Sequence, residues 1–296
     1  MVRSRKEMMK AFALVLPSLL VLLIFVYFFI AWSFRVSLSA WRGLIADYTF
    51  VGLRNYISMF SRERFQIDMM NTLSFTVSFL ILCVVLGIFL AWLLDKGVRA
   101  EGLFRNIYLF PMSISFVVTG VVWRWIFNPT VGINALMQRI GLEHLTWGWY
   151  TDPTRIGWFH VALIPVIIAA SWQLSGYTMA MFLAGFRSIP VELIEQARID
   201  GASEFFILRK VSLPMLKPIT LSALIVLGHF SLKIFDLVFT MTGRGPAFAT
   251  DVPAIYMFET TFRGNNYGEG AVISMVMLAF VAVVIIPYLV STFRKE

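Results

Sequence analysis

The chain alternates long apolar runs with short polar gaps, and the length of the runs sets the first expectation. A bilayer core of about 30 Å takes roughly 20 apolar residues as helix. Six stretches reach that length, at about 11–34, 71–94, 105–127, 158–186, 214–240 and 270–291. The pattern predicts an all-α polytopic membrane protein with six transmembrane helices. The first run follows Arg3, Arg5, Lys6 and Lys10, as a signal peptide would, and Ser37-Leu38-Ser39 is a weak cleavage pattern. A signal peptide's apolar region is only about 7–15 residues. This run is longer, so it reads as a retained first span.

Composition agrees. Apolar residues make up 59% of the 296, charged residues 14%, and the mean hydropathy is +0.79. Soluble domains are nearer half apolar and a quarter charged. The net charge of +8 is spread through the gaps instead of forming one patch, which favours membrane lipid over nucleic acid as its counterpart. With both termini in the cytoplasm, 14 of the 25 basic residues fall in inside segments, in the sense of the positive-inside rule. Trp123, Trp125, Trp147, Trp149 and Trp158 gather at the outer ends of spans three and four, as an interfacial belt would. Cys83, the single cysteine, has no partner for an internal disulfide and reads as a small apolar filler.

The inside segment between spans four and five carries the most information. Pro190 suits a first helical turn, Glu192 and Glu195 favour its dipole, and Gly201 can take the left-handed conformation that ends a helix. A short amphipathic helix is expected from Pro190 to about Asp200, and a second from about Ala202 to Val211, with Pro214 opening span five. Periodicity alone describes a helix resting on the membrane surface.

The particular residues go further. Glu195 and Ala197, then Asp200-Gly201-Ala202, then Leu213-Pro214 resemble the cytoplasmic signature loop of ABC-importer permeases. Gly201 follows Ala197 after three residues, and Leu213-Pro214 follows at the family's spacing. The Asp before the Gly and the Ala after it are those of the sugar branch. Gln196 and Leu208 depart from the usual small residue and Phe. Weaker likenesses extend over nearly the whole chain: Val51 to Tyr56, Asn71-Thr72-Leu73, Phe127-Asn128-Pro129, Gly132-Ile133-Asn134 and Phe235-Asp236-Leu237. Thr242-Gly243-Arg244-Gly245-Pro246 is similar to a segment of the maltose-F-like partner of a heterodimeric pore, with Arg244 replacing a Gly.

The resemblance implies the type I ABC-importer permease fold, with a coupling helix between helices 4 and 5. On that pattern, residues 1–66 hold the N-terminal cytoplasmic segment, first helix and outer loop. Residues 67–296 form a permease core of five helices with the coupling loop at 187–218. It implies several partners: a second homologous permease, a dimer of ATPase subunits, and an extracytoplasmic sugar-binding protein. Glu195 would make a salt bridge to the ATPase, Gly201 permit the bend, and Ala197 and Ala202 permit close approach. The setting would be a bacterial cytoplasmic (inner) membrane.

In such a family the sugar crosses between the two permeases. A sugar needs hydrogen-bonding groups and an apolar or aromatic face, and polar groups within spans are costly enough to be candidates. Trp172, Gln173 and Tyr177 in span four, Ser231 in span five, and Met112 and Phe116 in span three fit. Gln173 and Tyr177 share a helix face. Against this, a span serine usually bonds its own backbone, and Lys233 and Asp236, three apart, can neutralise each other. No phosphate-binding Gly-rich loop of the G-x-x-x-x-G-K-[ST] type occurs, so ATP and Mg would sit on the ATPase partner and no cofactor on this chain. His144, His160 and His229 lack metal-ligand spacing, and no nucleophile elbow occurs. The expected substrate is a neutral sugar or polyol. The alternatives are glycerol 3-phosphate or a related phosphodiester, and a secondary transporter, for which a relay of intramembrane carboxylates would be needed.

Overall fold

The computed structural model describes residues 5–293. Helix α1 (Arg5–Leu22) passes through a π-helical turn, Leu23–Phe28, into α2 (Phe29–Ser37). Its apolar part is left open by the described residues from Phe12 to Phe34, and only Val36 and Ser37 at its end are buried. After α3 (Arg54–Phe60), helix α4 (Glu63–Asp95) runs unbroken for 33 residues.

The third apolar run is not one helix. Helix α5 (Glu101–Leu109) continues through a 3-10 turn at Phe110–Ser113, and α6 (Phe116–Ile126) leaves at 99°. Pro111 removes a backbone donor at the turn, Ile114 and Ser115 are extended, and the Ser115 hydroxyl accepts from the Val118 N–H at 3.3 Å as the cap of α6. The expected single span 105–127 is therefore two half-helices.

Helix α7 (Ile133–Arg139) lies in the following loop, which ends in a hairpin of β1 (Arg155–Ile156) and β2 (Phe159–His160) with Arg155 opposite His160. The fourth helix, α8 (Leu163–Phe186), thus starts five residues after the expected 158. Next come α9 (Val191–Ile199), α10 (Glu204–Ile207), a π turn at Leu208–Ser212 and α11 (Leu213–Met215). Span five does not open at Pro214. Helix α12 (Lys217–Leu232) departs at 70°, with Pro218 in its first turn. It stops at Lys233, and α13 (Asp236–Met241) follows the break, so the expected 214–240 is also interrupted. Helices α14 (Pro253–Phe258) and α15 (Tyr267–Phe293) close the chain.

By length and apolar composition, three helices among the described residues suffice to cross a membrane, or five when each bent pair makes one span. The chain forms two compact units. One holds residues up to Phe65 with Tyr256–Ala279. In it the buried Glu269 carboxylate takes Arg42 and Arg62 at 2.6 Å each. The other unit, Gln66–Ile255 with the residues from Phe280 on, carries all the candidate site residues. Its inner core joins Ala91 and Leu94 of α4 to Met179, Phe182 and Phe186 of α8 and to Leu216.

Candidate functional site

Helix α9 ends as its sequence predicts. Gly201 sits at φ +81°, its N–H bonds the Arg198 carbonyl at 3.0 Å, and the Ala202 N–H reaches back to Ala197 at 3.0 Å. This is the Schellman arrangement, which needs a residue free to adopt the left-handed region. The chain then restarts at Ser203, whose hydroxyl caps α10 through the Phe206 N–H. The second helix begins two residues later than the expected Ala202.

The loop presents one face outward and anchors the other. Glu195, Asp200, Gly201 and Pro214 are exposed; Ala197, Ala202 and Leu213 are half-buried. Ile199 is 85% exposed and Phe205 64%, an apolar surface left open by the described residues. On the inward side, Ile189, Leu208 and Ile219 pack against the core of α4 and α8. Arg198 donates to Glu204 at 2.8 Å, Lys96 lies 3.9 Å from the same carboxylate, and Arg187 pairs with Glu101 at 2.7 Å. The chain is thus anchored to the core of α4 and α8 on both sides of α9, at Ile189 and at Leu208.

A cavity of about 220 Å³ lies at the break between α12 and α13. Its walls include Phe116, Ala170, Leu174, Phe230 and Ser231, with Lys233 and Asp236 from the break itself. Phe75 and Phe79, stacked at 5.4 Å, form the α4 side. Sequence reasoning did not single out these two rings; the available signal was an aromatic pair four apart on one helix face. The cavity brings together Phe116 and Ser231 of the six substrate candidates. The Ser231 hydroxyl donates to its own backbone at Gly228, 2.9 Å away.

The other four candidates lie off this wall. Gln173 is buried, and its Nε2 donates to the Ile114 carbonyl at 2.6 Å, the acceptor that the bend between α5 and α6 leaves without a helical partner. Its Oε1 is buried with no protein partner. Tyr177 is half-buried, whereas Met112 and Trp172 are exposed. Trp172 meets Trp123 edge-on at 5.7 Å. Among the belt tryptophans, Trp125 and Trp158 are exposed, while Trp123, Trp147 and Trp149 turn partly inward.

Farther along the chain, a buried polar node ties α4 to the hairpin. Asn71 Nδ2 donates to the carbonyls of Phe248 and Asp251 at 2.8 and 3.0 Å. That leaves Oδ1 to accept, so His160, 2.7 Å away, donates through Nδ1. Burial, with the nearby charge of Arg155, lowers the His160 pKa. In the loop before the hairpin, a hydrogen bond from Thr154, joined by the Trp147 indole, holds Asp152 below the usual carboxylate range.

Comparison with known proteins agrees with this architecture. The chain is 43% identical over 282 residues to a probable ABC transporter permease of Pyrococcus horikoshii, covering 95% of this chain and 94% of that one. It is 37% identical to the xylose/arabinose import permease XacH of Haloferax volcanii, over 89% and 82% of the two chains. The fold matches a solved bacterial ABC transporter involved in import of the acidic polysaccharide alginate, with a TM-score of 0.78 at 21% identity, over 98% of this chain and 96% of that one. A family model covers residues 83–294, from the middle of α4 to the last helix, and by that match the chain belongs to the inner membrane components of binding-protein-dependent transport systems.

Proposed function

We propose that this chain is one of two homologous permease subunits in an ATP-driven importer, and that it passes a neutral sugar or polyol across the cytoplasmic membrane. The observation that carries the reading is the loop at 187–218. Its first helix is closed by Gly201 at φ +81° and leaves Ile199 exposed, while Ile189 and Leu208 on either side of it pack against the core of α4 and α8. That is the construction of a lever. A separate ATPase dimer would hold ATP and Mg and grip α9 by its exposed face, with Glu195 as the salt-bridging residue, Ala197 and Ala202 allowing close approach, and Asp200, Leu213 and Pro214 shaping the turn and the entry into α12. ATP binding would close the ATPases, carry α9 with them, and open the pore to an extracytoplasmic binding protein that delivers the sugar. Both termini would lie in the cytoplasm.

The substrate would meet Phe116 and Ser231 at the cavity, and Met112, Trp172, Tyr177 and the free Oε1 of Gln173 along the adjoining path. The alternative of glycerol 3-phosphate calls for several cations. The cavity wall carries Lys233 together with Asp236, so their charges offset each other, which supports a neutral substrate. The xylose/arabinose permease similarity supports the same class.

The test is Gly201→Asp in the assembled transporter. The space beside Gly201 is open, so the change is tolerated sterically, but the left-handed backbone is strained for a side chain. Membrane insertion should be normal, while uptake of labelled sugars and sugar-stimulated ATP hydrolysis should be lost. Wild-type uptake in that variant would remove the lever.

A further inference from the structure

A second aromatic assembly lies away from the cavity. Trp147 and Trp149 have ring centroids 5.2 Å apart, Trp149 and Phe127 4.7 Å, Phe127 and Trp123 5.3 Å, and Trp123 and Trp172 5.7 Å. The rings form one unbroken series from the loop at 128–157 to α8. A loop core would bury its rings, yet only Phe127 is buried; Trp123, Trp147 and Trp149 stay partly open and Trp172 is 39% exposed.

The two loop tryptophans are also held in fixed orientation. The Trp149 indole donates to Asn134 Oδ1 at 2.7 Å, and the Trp147 indole donates to Asp152 Oδ2. Asn134, itself 3% exposed, donates to the carbonyls of Pro129 and Trp147 at 3.0 and 2.7 Å. With both N–H edges bonded to the protein, the hydrocarbon of the rings is what remains for a ligand. The half-exposed carboxylate of Asp152 beside Trp147 adds an acceptor. Two fixed apolar ring faces, inclined to each other by 40°, with a few held polar groups beside them suit a ligand with one C–H face and a rim of hydroxyls.

We infer that Trp147 and Trp149 form an extracytoplasmic subsite that stacks against the C–H face of a pyranose ring, and that Trp123 leads from it to Trp172. The inference rests on the chain being a sugar importer and adds a first station to the route. It selects cyclic sugars over acyclic polyols, because an open chain presents no flat face.

The direct test labels the assembled transporter with 5-fluorotryptophan in lipid nanodiscs, with resonances assigned through Trp147→Phe and Trp149→Phe. Methyl β-D-xylopyranoside, methyl β-D-glucopyranoside and D-mannitol are titrated to roughly 0.1 M, enough to saturate millimolar affinity. The fluorine signals of Trp147 and Trp149 should move with the pyranosides and stay put with mannitol. Signals that do not move, or that move equally with mannitol, overturn the subsite. Uptake gives a second readout. Trp149→Ala should raise the half-saturation concentration about fivefold at unchanged maximal rate, and Trp149→Phe, which keeps a ring but loses the bond to Asn134, should restore it. Equal loss of maximal rate in both variants would mark the rings as scaffold only. Should the wild-type transporter take up no sugar at all, the importer reading fails while the fluorine signals still report on the subsite.

Discussion

Replacing Gly176 by Ala tests the packing on which the candidate site depends. Gly176 lies on α8 where α5 makes its nearest approach. A Cβ built there falls inside van der Waals contact of the Tyr108 carbonyl oxygen, 2.5 Å from its carbon and 3.1 Å from the Leu109 nitrogen. All three are backbone atoms, so no side chain can turn aside. Carbon atoms rest about 3.5–4.0 Å apart, so the helices must part by about 1 Å. Gln173 lies one helical turn away, and the same shift would stretch its 2.6 Å bond to Ile114 beyond hydrogen-bond range. Overpacking costs about 1–3 kcal/mol, and leaving the Ile114 carbonyl and the Gln173 amide unpaired costs about 1–3 more. Alanine's better helix propensity returns about 1 kcal/mol. The net loss is about 1–5 kcal/mol, centred near 3. The assay is thermal unfolding of the purified transporter, with Gly102→Ala as control. Gly102, on α5, has nothing within 4 Å of its would-be Cβ, so that change should be neutral or slightly stabilising. A Gly176→Ala protein melting at or above the wild-type temperature would refute the close approach of α5 to α8.

Three further outcomes follow from other contacts. His160 is neutral in the folded node, and its folded pKa lies below the ordinary 6.5; the unfolded chain therefore binds more protons below that pH, and stability should fall as pH drops through 6.5. Melting curves between pH 5 and 8 should show this slope in wild type and a flatter one in His160→Gln. Ser231→Ala removes a hydroxyl already bonded to Gly228, so sugar uptake should stay within about twofold; a larger loss would show that the hydroxyl serves the substrate. Glu269→Gln leaves Arg42 and Arg62 facing an uncharged, buried amide. Because both arginines are partly exposed, the cost should be about 1–3 kcal/mol, less than for a fully buried pair, read as a lower melting temperature.

The helical class and the bend at Gly201 were legible because their signals are local. Run length announces a span without reference to neighbours, and Gly201 announces a helix end because few other residues accept φ +81°. Ala197, Gly201 and Ala202 take their places in the Schellman turn, and Ser203 caps the helix that follows. The bends were less legible. Pro111, Ser115 and Pro218 each carry a break or start signal, but all lie inside continuous apolar runs, and hydropathy records how apolar a segment is without recording its direction. A run of 23 apolar residues reads the same whether it is one rod or two half-helices at 99°.

The same limit explains Gln173. On a helical wheel it is a polar residue on an apolar span, and the wheel makes it a candidate for substrate. The structure gives its amide another duty: the bend at Ile114 frees a carbonyl, and a freed carbonyl in an apolar setting must find a donor. Gln173 Nε2 supplies it, so one side of the side chain is committed to the fold and only Oε1 remains. No pattern within α8 could disclose this, because the demand comes from a break 59 residues earlier in the chain. The polar residues of the spans therefore divide by what the neighbouring backbone requires. Ser231 lines the cavity but bonds its own helix, Gln173 answers another helix, and Lys233 and Asp236, set at the break between α12 and α13, line the cavity beside Ser231.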